Sequence, residues 1–384
     1  MSVTKPIGFL ASGVAAGIKE NGNKDLAVVV NMGPQYSAAG VFTSNRFQAA
    51  PVQWSKLAVG DGLLQAVVLN SGGANACTGE AGYEDSIQCA SWLAHHLQID
   101  TEDVAVCSTG LIGVRLPMET MVNGIAQAVA ALDSKGGPDA AEAIMTTDTH
   151  PKQAEYLAED GWAIGGMAKG AGMLAPQLAT MLVVLTTDVA LDSEVLDRAL
   201  RTATSLTFDR TDSDGCMSTN DTVLILASGA SGVTPDEQEF TTALTQVCWS
   251  LARQLIGDAE GAEHDIEITV TSAATEDDAL ECARAVARSN LFKCAVFGKD
   301  PNWGRVLSSV GTTSAAFDPD KVDVLFNGVP VFLDGGLGED RSKVPFEGRE
   351  VRVEVRLHAG DQAATVWTND LTYGYVKENA EYSS

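Results

Sequence analysis

The chain has 384 residues, of which 45% are hydrophobic and 20% are charged, a composition typical of a folded protein with two or three domains. Its 51 acidic and 25 basic residues leave a net charge of −26, which argues against nucleic-acid binding, because that binding rests on Lys and Arg neutralising phosphates. No apolar run approaches the roughly 18 residues of a membrane span, and the N-terminus lacks the layout of a signal peptide. We therefore expect a cytoplasmic protein that does not associate with membranes.

The first part of the chain alternates short apolar runs with turn residues and helical patterns. In chain order, the patterns predict strands at 25–32 and 65–70, a helix at 86–97, a strand at 103–107, and helices at 122–132 and 140–145.

The remainder contains a second alternation of strands and helices. The patterns predict a strand at 180–185, a helix at 193–207, a strand at 222–227 and a long amphipathic helix at 237–255. After a polar segment at 257–265, they predict a strand at 266–270, a helix at 277–289, and strands at 293–297, 322–326 and 351–357. Because the pattern restarts there, we place a domain boundary near residue 265, with domains at 1–265 and 266–384.

The cysteines and histidines indicate neither disulfides nor a metal site. The seven cysteines are scattered and form no C-x-x-C pair, which is typical of reduced, buried thiols. The five histidines show no metal-ligand spacing. We therefore expect no metal and no cofactor of that kind.

Thr180 stands among small and apolar residues at the predicted start of a strand. A threonine hydroxyl is a weak nucleophile and needs a base, which the amine of an N-terminal threonine supplies itself. Thr180 gains such an amine only if the Ala179–Thr180 bond breaks. The preceding run 170–175 also fits a G-x-G-x-x-A dinucleotide pattern, but Pro176 and a strand follow where that pattern requires a helix. We therefore interpret its glycines as positions of close backbone approach.

Two further segments have both a structural and a functional interpretation. Ser108-Thr109-Gly110 follows a predicted strand and is either a simple turn or an oxyanion hole, in which Thr109 and the Gly110 N–H stabilise developing negative charge. The segment 297–305 is rich in turn formers, which connect strands and also host binding residues.

The segment Lys169-Gly170-x-Gly172-Met173-x-Ala175-Pro176-x-x-Ala179-Thr180-Met181-Leu182 resembles the self-cleavage segment of the ornithine acetyltransferase family, also called glutamate N-acetyltransferase. Other segments agree with this family in the same order from about residue 8 to the C-terminus. They lie at 40–46, 70–77, 108–113, 143–149, 218–222, 297–305 and 370–382.

The resemblance implies an enzyme of the cyclic arginine pathway that moves an acetyl group from N2-acetyl-L-ornithine to L-glutamate, with acetyl-CoA as an acetyl donor in some members. It implies an α+β fold, a layered α/β/β/α sandwich with a smaller C-terminal α/β domain. It also implies self-cleavage into an α chain, 1–179, and a β chain, 180–384, usually assembled as a two-plus-two heterotetramer.

The resemblance also implies roles for individual residues. Thr180 matches the nucleophile, first on the Ala179 carbonyl and then on the acetyl group. The remaining matches are an oxyanion hole at Thr109 and Gly110, and substrate contacts at Thr147 (or Thr146), Lys169, Glu260, Asn379 and Ser384.

The residues depart from the family pattern at few positions. Cys216 and Met217 stand where the family often has Asp and Thr, which leaves their roles open, and Ser384 retains the hydroxyl of the usual terminal Thr. Lys169 would pair with a substrate carboxylate and Glu260 with a substrate amine. The alternative functions are a self-processed N-terminal-nucleophile aminopeptidase or amidase of related fold, and a binding protein without activity.

Overall fold

The computed structural model of the protein describes residues 2–173 and 181–381. These residues form two compact units, Met1–Asp209 with Cys216–Asp258, and Arg210–Gly215 with Ala259–Ser383. Mixed β-sheets and helices make up both units, which confirms the predicted α+β class. Within these residues, none of the helices has the length and apolar character needed to cross a membrane.

The first unit contains the strands and helices up to residue 257. Its strands are β1 (Phe9–Val14), β2 (Leu26–Asn31), β3 (Ala38–Phe42), β4 (Ala66–Gly73), β5 (Val104–Leu111), β6 (Lys152–Leu157), β7 (Ala163–Lys169), β8 (Leu182–Thr187) and β9 (Thr222–Ala227). Its helices are α1 (Ala50–Ala58), α2 (Gly79–Leu97), α3 (Met118–Ala130), α4 (Gly137–Ala143), α5 (Ser193–Leu206) and α6 (Glu237–Gly257).

Two sheets of the first unit share one hydrophobic core. The first has the order β1-β2-β4-β5, in which only β4 and β5 run parallel, and the second has the order β3-β9-β8-β7-β6, in which only β8 and β9 run parallel. Val28 and Val68 of the first sheet and Val184 and Leu224 of the second all belong to that core. Strands β2, β8 and β9 are buried along their whole length, as continuous apolar runs predict.

The second unit has its own sheet and core. Its strands are β10 (Asp265–Ala273), β11 (Asp323–Phe326), β12 (Val329–Leu333), β13 (Gly336–Leu337), β14 (Glu350–Arg356) and β15 (Gln362–Asn369), in the sheet order β13-β12-β11-β14-β10-β15. Its helices are α7 (Glu276–Ala287), α8 (Asn290–Phe297), α9 (Trp303–Val310) and α10 (Tyr373–Glu381).

The predicted strand at 293–297 is wrong, because this segment is part of helix α8. The side chain of Ser289 caps the helix by accepting a hydrogen bond from the Phe292 N–H. Phe292, Ala295 and Val296 then return to the same buried face at helical spacing. Over five residues an apolar run does not distinguish a strand from a buried helix, and the cap and the packing decide.

Candidate active site

Strands from the two sheets of the first unit bring Lys169 and Thr109 together. Lys169 is the last residue of β7, and Thr109 lies near the end of β5. The Lys169 Nζ donates to the Thr109 Oγ1 over 3.3 Å. Both residues are buried, with 2% and 4% of their surface exposed. A lysine so deeply buried needs compensating charge nearby, because an ammonium group loses much hydration free energy on leaving water.

That compensating charge comes from a buried ionic network. The Lys152 ammonium lies 2.6 Å from Asp148 Oδ1 and 2.6 Å from Asp258 Oδ2. Asp258 also accepts hydrogen bonds from the N–H and the hydroxyl of Thr149. Burial opposes ionisation of Asp148, but the charges of Lys169 and Lys152 outweigh it and hold the pKa of Asp148 well below its ordinary value. Asp148 is therefore a carboxylate that stabilises the positive charge of Lys169.

The Asp148 carboxylate also orders the backbone around the predicted substrate-contact residues. One oxygen accepts the Gly170 N–H over 2.7 Å, and the other accepts the Thr146 N–H over 2.9 Å. Thr147, the predicted contact, is half-buried between Thr146 and Asp148 in the chain. The same carboxylate thus holds the Thr146–Thr147 backbone and the residue that follows Lys169.

Gly110 has a conformation and a contact that require glycine. Its φ is +127°, and a Cβ at this position would lie 2.6 Å from the Gly72 carbonyl carbon and 2.6 Å from the Gly73 nitrogen. The parallel register of β4 and β5 shifts at Gly72–Gly73. The end of β5 is therefore held tightly against β4 where the sequence predicts the oxyanion hole.

Asn220 and Asp221 precede β9 and bind the strands on which the predicted site depends. The Asn220 amide donates to the Ser108 and Ala74 carbonyl oxygens over 2.8 and 2.6 Å. Asp221 Oδ1 accepts the Met181 N–H over 3.1 Å. Burial raises the pKa of Asp221 well above its ordinary value, against the opposing effects of the Met181 N–H and the Ser218 hydroxyl.

Two predicted substrate-contact residues meet in the second unit. The Asn379 amide donates to Glu260 Oε2 over 3.0 Å and to the Tyr375 carbonyl over 3.0 Å. Glu260 is half-buried and Asn379 is exposed. The Thr372 hydroxyl donates to the Gly261 carbonyl over 2.6 Å, which fixes the loop beside Glu260 against the start of α10.

Three predicted residues, Ala179, Thr180 and Ser384, lie outside the described residues. The nearest described neighbours of Thr180 in the chain are Met173 and Met181. Within residues 2–173 and 181–381, no group of three or more His, Cys, Asp or Glu side chains is arranged to hold a metal ion.

Three cysteines of the first unit are buried, and two others, Cys77 and Cys216, are exposed. Cys89, Cys107 and Cys248 are buried, and burial raises the pKa of the Cys89 and Cys107 thiols to about 12.

At Met217, one of the departures from the family pattern, the backbone carbonyl accepts the Asn45 amide over 2.8 Å and the sulfur accepts the Ser44 hydroxyl over 3.2 Å. These contacts give Met217 a place in the local packing.

Sequence reasoning did not assign roles to the buried polar residues around Lys169 and Thr109. Asp148 lies in the 143–149 motif, and Asn220 and Asp221 lie in the 218–222 motif. Lys152 and Asp258 had no sequence signal, because their pairing joins positions 106 residues apart.

Fold and site together define an α+β protein with a buried Lys–Thr contact at the ends of two strands, stabilised by carboxylates. A family model described as the ArgJ family matches residues 10–384, so the chain belongs to the ArgJ family. The "Arginine biosynthesis bifunctional protein ArgJ" of Streptomyces avermitilis is 62% identical over 384 residues, and the protein of the same name from Thermobifida fusca is 59% identical over 384 residues. Both matches cover 100% of each chain.

One similar solved structure is that of ornithine acetyltransferase from Mycobacterium tuberculosis in complex with ornithine. It is 52% identical, with a TM-score of 0.46, and the match covers 47% of this chain and 96% of that chain.

Proposed function

We propose that this protein is an ornithine acetyltransferase of arginine biosynthesis, which moves an acetyl group from N2-acetyl-L-ornithine to L-glutamate through an acetyl ester of Thr180. The observation that carries the proposal is the match to the ArgJ family over residues 10–384, with 62% identity to a bifunctional ArgJ protein along the whole chain. The contact of buried Lys169 with Thr109 supplies a polar centre suited to acyl transfer.

The reaction has two half-reactions that share the ester. In the first, Thr180 Oγ bonds to the acetyl carbonyl carbon, the bond from that carbon to the ornithine N2 breaks, and the hydroxyl proton passes to the leaving amine. In the second, the glutamate amine bonds to the acetyl carbon, the ester bond breaks, and a proton returns to Thr180 Oγ. A positioned nucleophile and a base suffice for these steps, so the proposed reaction uses no cofactor and acetyl-CoA enters only as an alternative donor.

The base is the α-amine of Thr180. Its reference pKa is about 8, so a usable fraction is neutral near pH 7. Thr109 Oγ1 and the Gly110 N–H donate to the oxyanion of each tetrahedral intermediate, and Lys169 strengthens the Thr109 hydroxyl as a donor through its 3.3 Å contact. Thr147, Lys169, Glu260, Asn379 and Ser384 bind substrate.

Thr180 acquires this amine by self-cleavage of the Ala179–Thr180 bond. Its Oγ bonds to the Ala179 carbonyl carbon as the C–N bond to the Thr180 amine breaks, and water then hydrolyses the resulting ester, which yields chains 1–179 and 180–384. The sheet that carries the site supports a stable association after the cut. Strands β8 and β9 follow Thr180, and they lie between β3 and β7, which precede it. Lys169 of β7 faces Leu182 of β8 in the antiparallel register, so strand pairing spans the predicted cut.

Four further features belong to the same proposal. Helices α2 and α3 contact the first sheet and α5 and α6 contact the second, while both sheets share a core, which supports a layered α/β/β/α sandwich. The two cleaved chains would assemble as a two-plus-two heterotetramer. The location would be the cytoplasm, and the C-terminal domain would be the smaller α/β domain expected from the sequence.

Mass spectrometry of the purified protein, followed by incubation with acetylornithine and glutamate, tests the proposal. We expect two chains that begin at residues 1 and 180, and N-acetylglutamate formed in step with ornithine. Thr180→Ala should remain one chain and form neither product. Cleaved chains that release acetate without N-acetylglutamate would contradict transfer and would indicate an aminopeptidase or amidase. Replacing acetylornithine with acetyl-CoA in the same assay tests the second donor.

A further inference from the structure

The proposed mechanism assigns no role to the adjacent residues Asn220 and Asp221. Both residues are buried, with Asn220 at 4% and Asp221 at 0% exposure. Their side chains bind two different stretches of backbone, one that leads to Thr109 and one that follows Thr180. This arrangement joins residues that are far apart in the chain, 112 positions for Asn220 with Ser108 and 40 positions for Asp221 with Met181.

Asn220 holds the end of β5 through both hydrogen atoms of its amide. One bond goes to the Ser108 carbonyl, whose peptide group continues into Thr109, and the other goes to the Ala74 carbonyl just beyond β4. Ser108 is held on its other side as well, because its hydroxyl donates to Asn70 Oδ1 over 2.7 Å. These bonds leave the backbone at Thr109 little freedom to rotate, as a preorganised oxyanion hole requires.

Asp221 fixes the backbone at the start of β8, as Asn220 fixes the backbone at the end of β5. Its Oδ1 accepts the Met181 N–H, and the next residue, Thr222, donates its own N–H to the Met181 carbonyl over 3.1 Å. Met181 is therefore fixed through both its N–H and its carbonyl, one residue after Thr180. Among the described residues, Asp221 Oδ2 is buried and has no hydrogen-bond partner. Oδ1 is thus the oxygen through which Asp221 holds the Met181 backbone.

We propose that Asn220–Asp221 is a positioning element that sets the distance between the oxyanion hole and the nucleophile, with Asn220 fixing Thr109 and Asp221 fixing the residue after Thr180. This inference rests on the proposed function. The two side chains adjoin in sequence, so a shift of one strand end relative to the other must strain the single turn that precedes β9. A displacement of about 1 Å at reacting groups lowers rates by about 100-fold, so a positioning element that sets this distance affects the reaction rate.

The chain offers a matched control at the opposite end of β9. Asn31 is equally buried, and its amide also donates to two backbone carbonyls, those of Gln35 and Ala227, over 3.0 and 3.1 Å. Asn31→Ala therefore removes two amide-to-carbonyl hydrogen bonds from the same unit, as Asn220→Ala does, without touching β5 or β8. Each variant also loses the acceptor at Oδ1, which binds the Gly33 N–H in Asn31 and the Thr219 hydroxyl in Asn220. The effect of Asn31→Ala on folding should match that of Asn220→Ala.

The experiment compares wild type, Asn220→Ala and Asn31→Ala, each purified as folded protein and checked by circular dichroism. We expect Asn220→Ala to lower kcat for acetyl transfer and the rate of self-cleavage by about 10- to 100-fold with little change in KM, and Asn31→Ala to change either rate by less than about 3-fold. In a double-mutant cycle, Thr109→Val should lower activity by a smaller factor on the Asn220→Ala background than on wild type, because both act through the same donor.

Asp221 is tested by a conservative pair. Asp221→Asn retains an oxygen that accepts the Met181 N–H and should retain more cleavage and transfer than Asp221→Ala, which lacks it. Equal losses from Asn220→Ala and Asn31→Ala, additive losses with Thr109→Val, or equal behaviour of the two Asp221 variants would each overturn the inference. A wild type that cleaves without forming N-acetylglutamate overturns the proposed function instead, and the inference is then judged on cleavage alone. A wild type that neither cleaves nor transfers overturns both.

Discussion

Lys169 and Thr109 contact one another from different sheets, with 3.3 Å between Nζ and Oγ1, although 60 residues separate them in the chain. The contact exists because β5 ends at one edge of the first sheet and β7 ends in the second, and the shared core brings those ends together. Asp148, whose pKa is held well below its ordinary value by Lys169 and Lys152, supplies a negative charge beside Lys169. A hydroxyl beside a buried ammonium is a strong donor, and the predictions below follow from that arrangement and from its supports.

Thr109→Val should lower kcat for acetyl transfer by about 100- to 1000-fold with little change in KM, because it removes one donor of the proposed oxyanion hole at nearly constant volume. The measurement is steady-state kinetics with acetylornithine and glutamate. Thr187→Val is the control, since the Thr187 hydroxyl is also buried and donates to the Ala163 carbonyl over 2.8 Å. Equal losses in the two variants would show that the Thr109 hydroxyl acts only on folding.

Gly110→Ala should destabilise the protein and abolish transfer. The φ of +127° costs a residue with a Cβ about 1–3 kcal/mol, and the overlap with the Gly72 and Gly73 backbone adds to that cost. Thermal unfolding and the transfer assay measure the two effects.

Gly113→Ala tests the backbone strain of a positive φ separately from the steric overlap that a Cβ causes at Gly110. Gly113 has a φ of +83°, and a Cβ there would meet nothing within 4 Å among the described residues. We expect a cost of about 1 kcal/mol and retained transfer. If Gly110→Ala proves as mild as Gly113→Ala, the close approach of β5 to β4 is not required.

Asp148→Asn should destabilise the protein at neutral pH by about 3 kcal/mol, because it removes charge from a buried ionic network. Since the pKa of Asp148 is lowered on folding, its stabilising contribution is fully present above the unfolded value of about 3.9 and is lost as pH falls below it. Urea unfolding from pH 7 to pH 3 should therefore show a difference from wild type that shrinks in acid. Asp160→Asn, at an exposed position, controls for lost acidic charge. A difference that is constant with pH would contradict the prediction.

Asp221→Asn should show the opposite pH dependence. Burial raises the pKa of Asp221, so the folded state binds its proton more tightly than the unfolded state. Wild type then loses stability as pH rises above about 4, until the folded pKa is reached, whereas the variant with Asn has no proton to lose. Urea midpoints between pH 4 and pH 8 should rise for Asp221→Asn relative to wild type. A midpoint difference that falls with pH would show that Asp221 is ionised in the folded protein.

Sequence patterns predicted much of the fold. The apolar run that became β9 was located residue for residue, because it is continuous and buried along its whole length. Helices α5 and α6 were located to within two residues, because their buried residues recur at helical spacing, which is a local property of the chain. The strand predicted at 293–297 was wrong, because its short apolar run packs as a helix once Ser289 caps it. The segment Arg210–Gly215 belongs to the second unit, and no local sequence pattern predicted this.

By itself, the sequence determined the family and the α+β class, and it predicted the segments that would carry the site. Motif order and apolar periodicity are properties of the chain, and the match over residues 10–384 confirmed the family. Only the tertiary structure decided that Lys152 joins Asp148 to Asp258, that Lys169 contacts Thr109, and that Asn220 and Asp221 hold the ends of two strands. Apart from the Asp148–Lys152 pair, which lies four positions apart, these contacts join residues 40 to 112 positions apart in the unit, and the packing of two sheets on one core creates them.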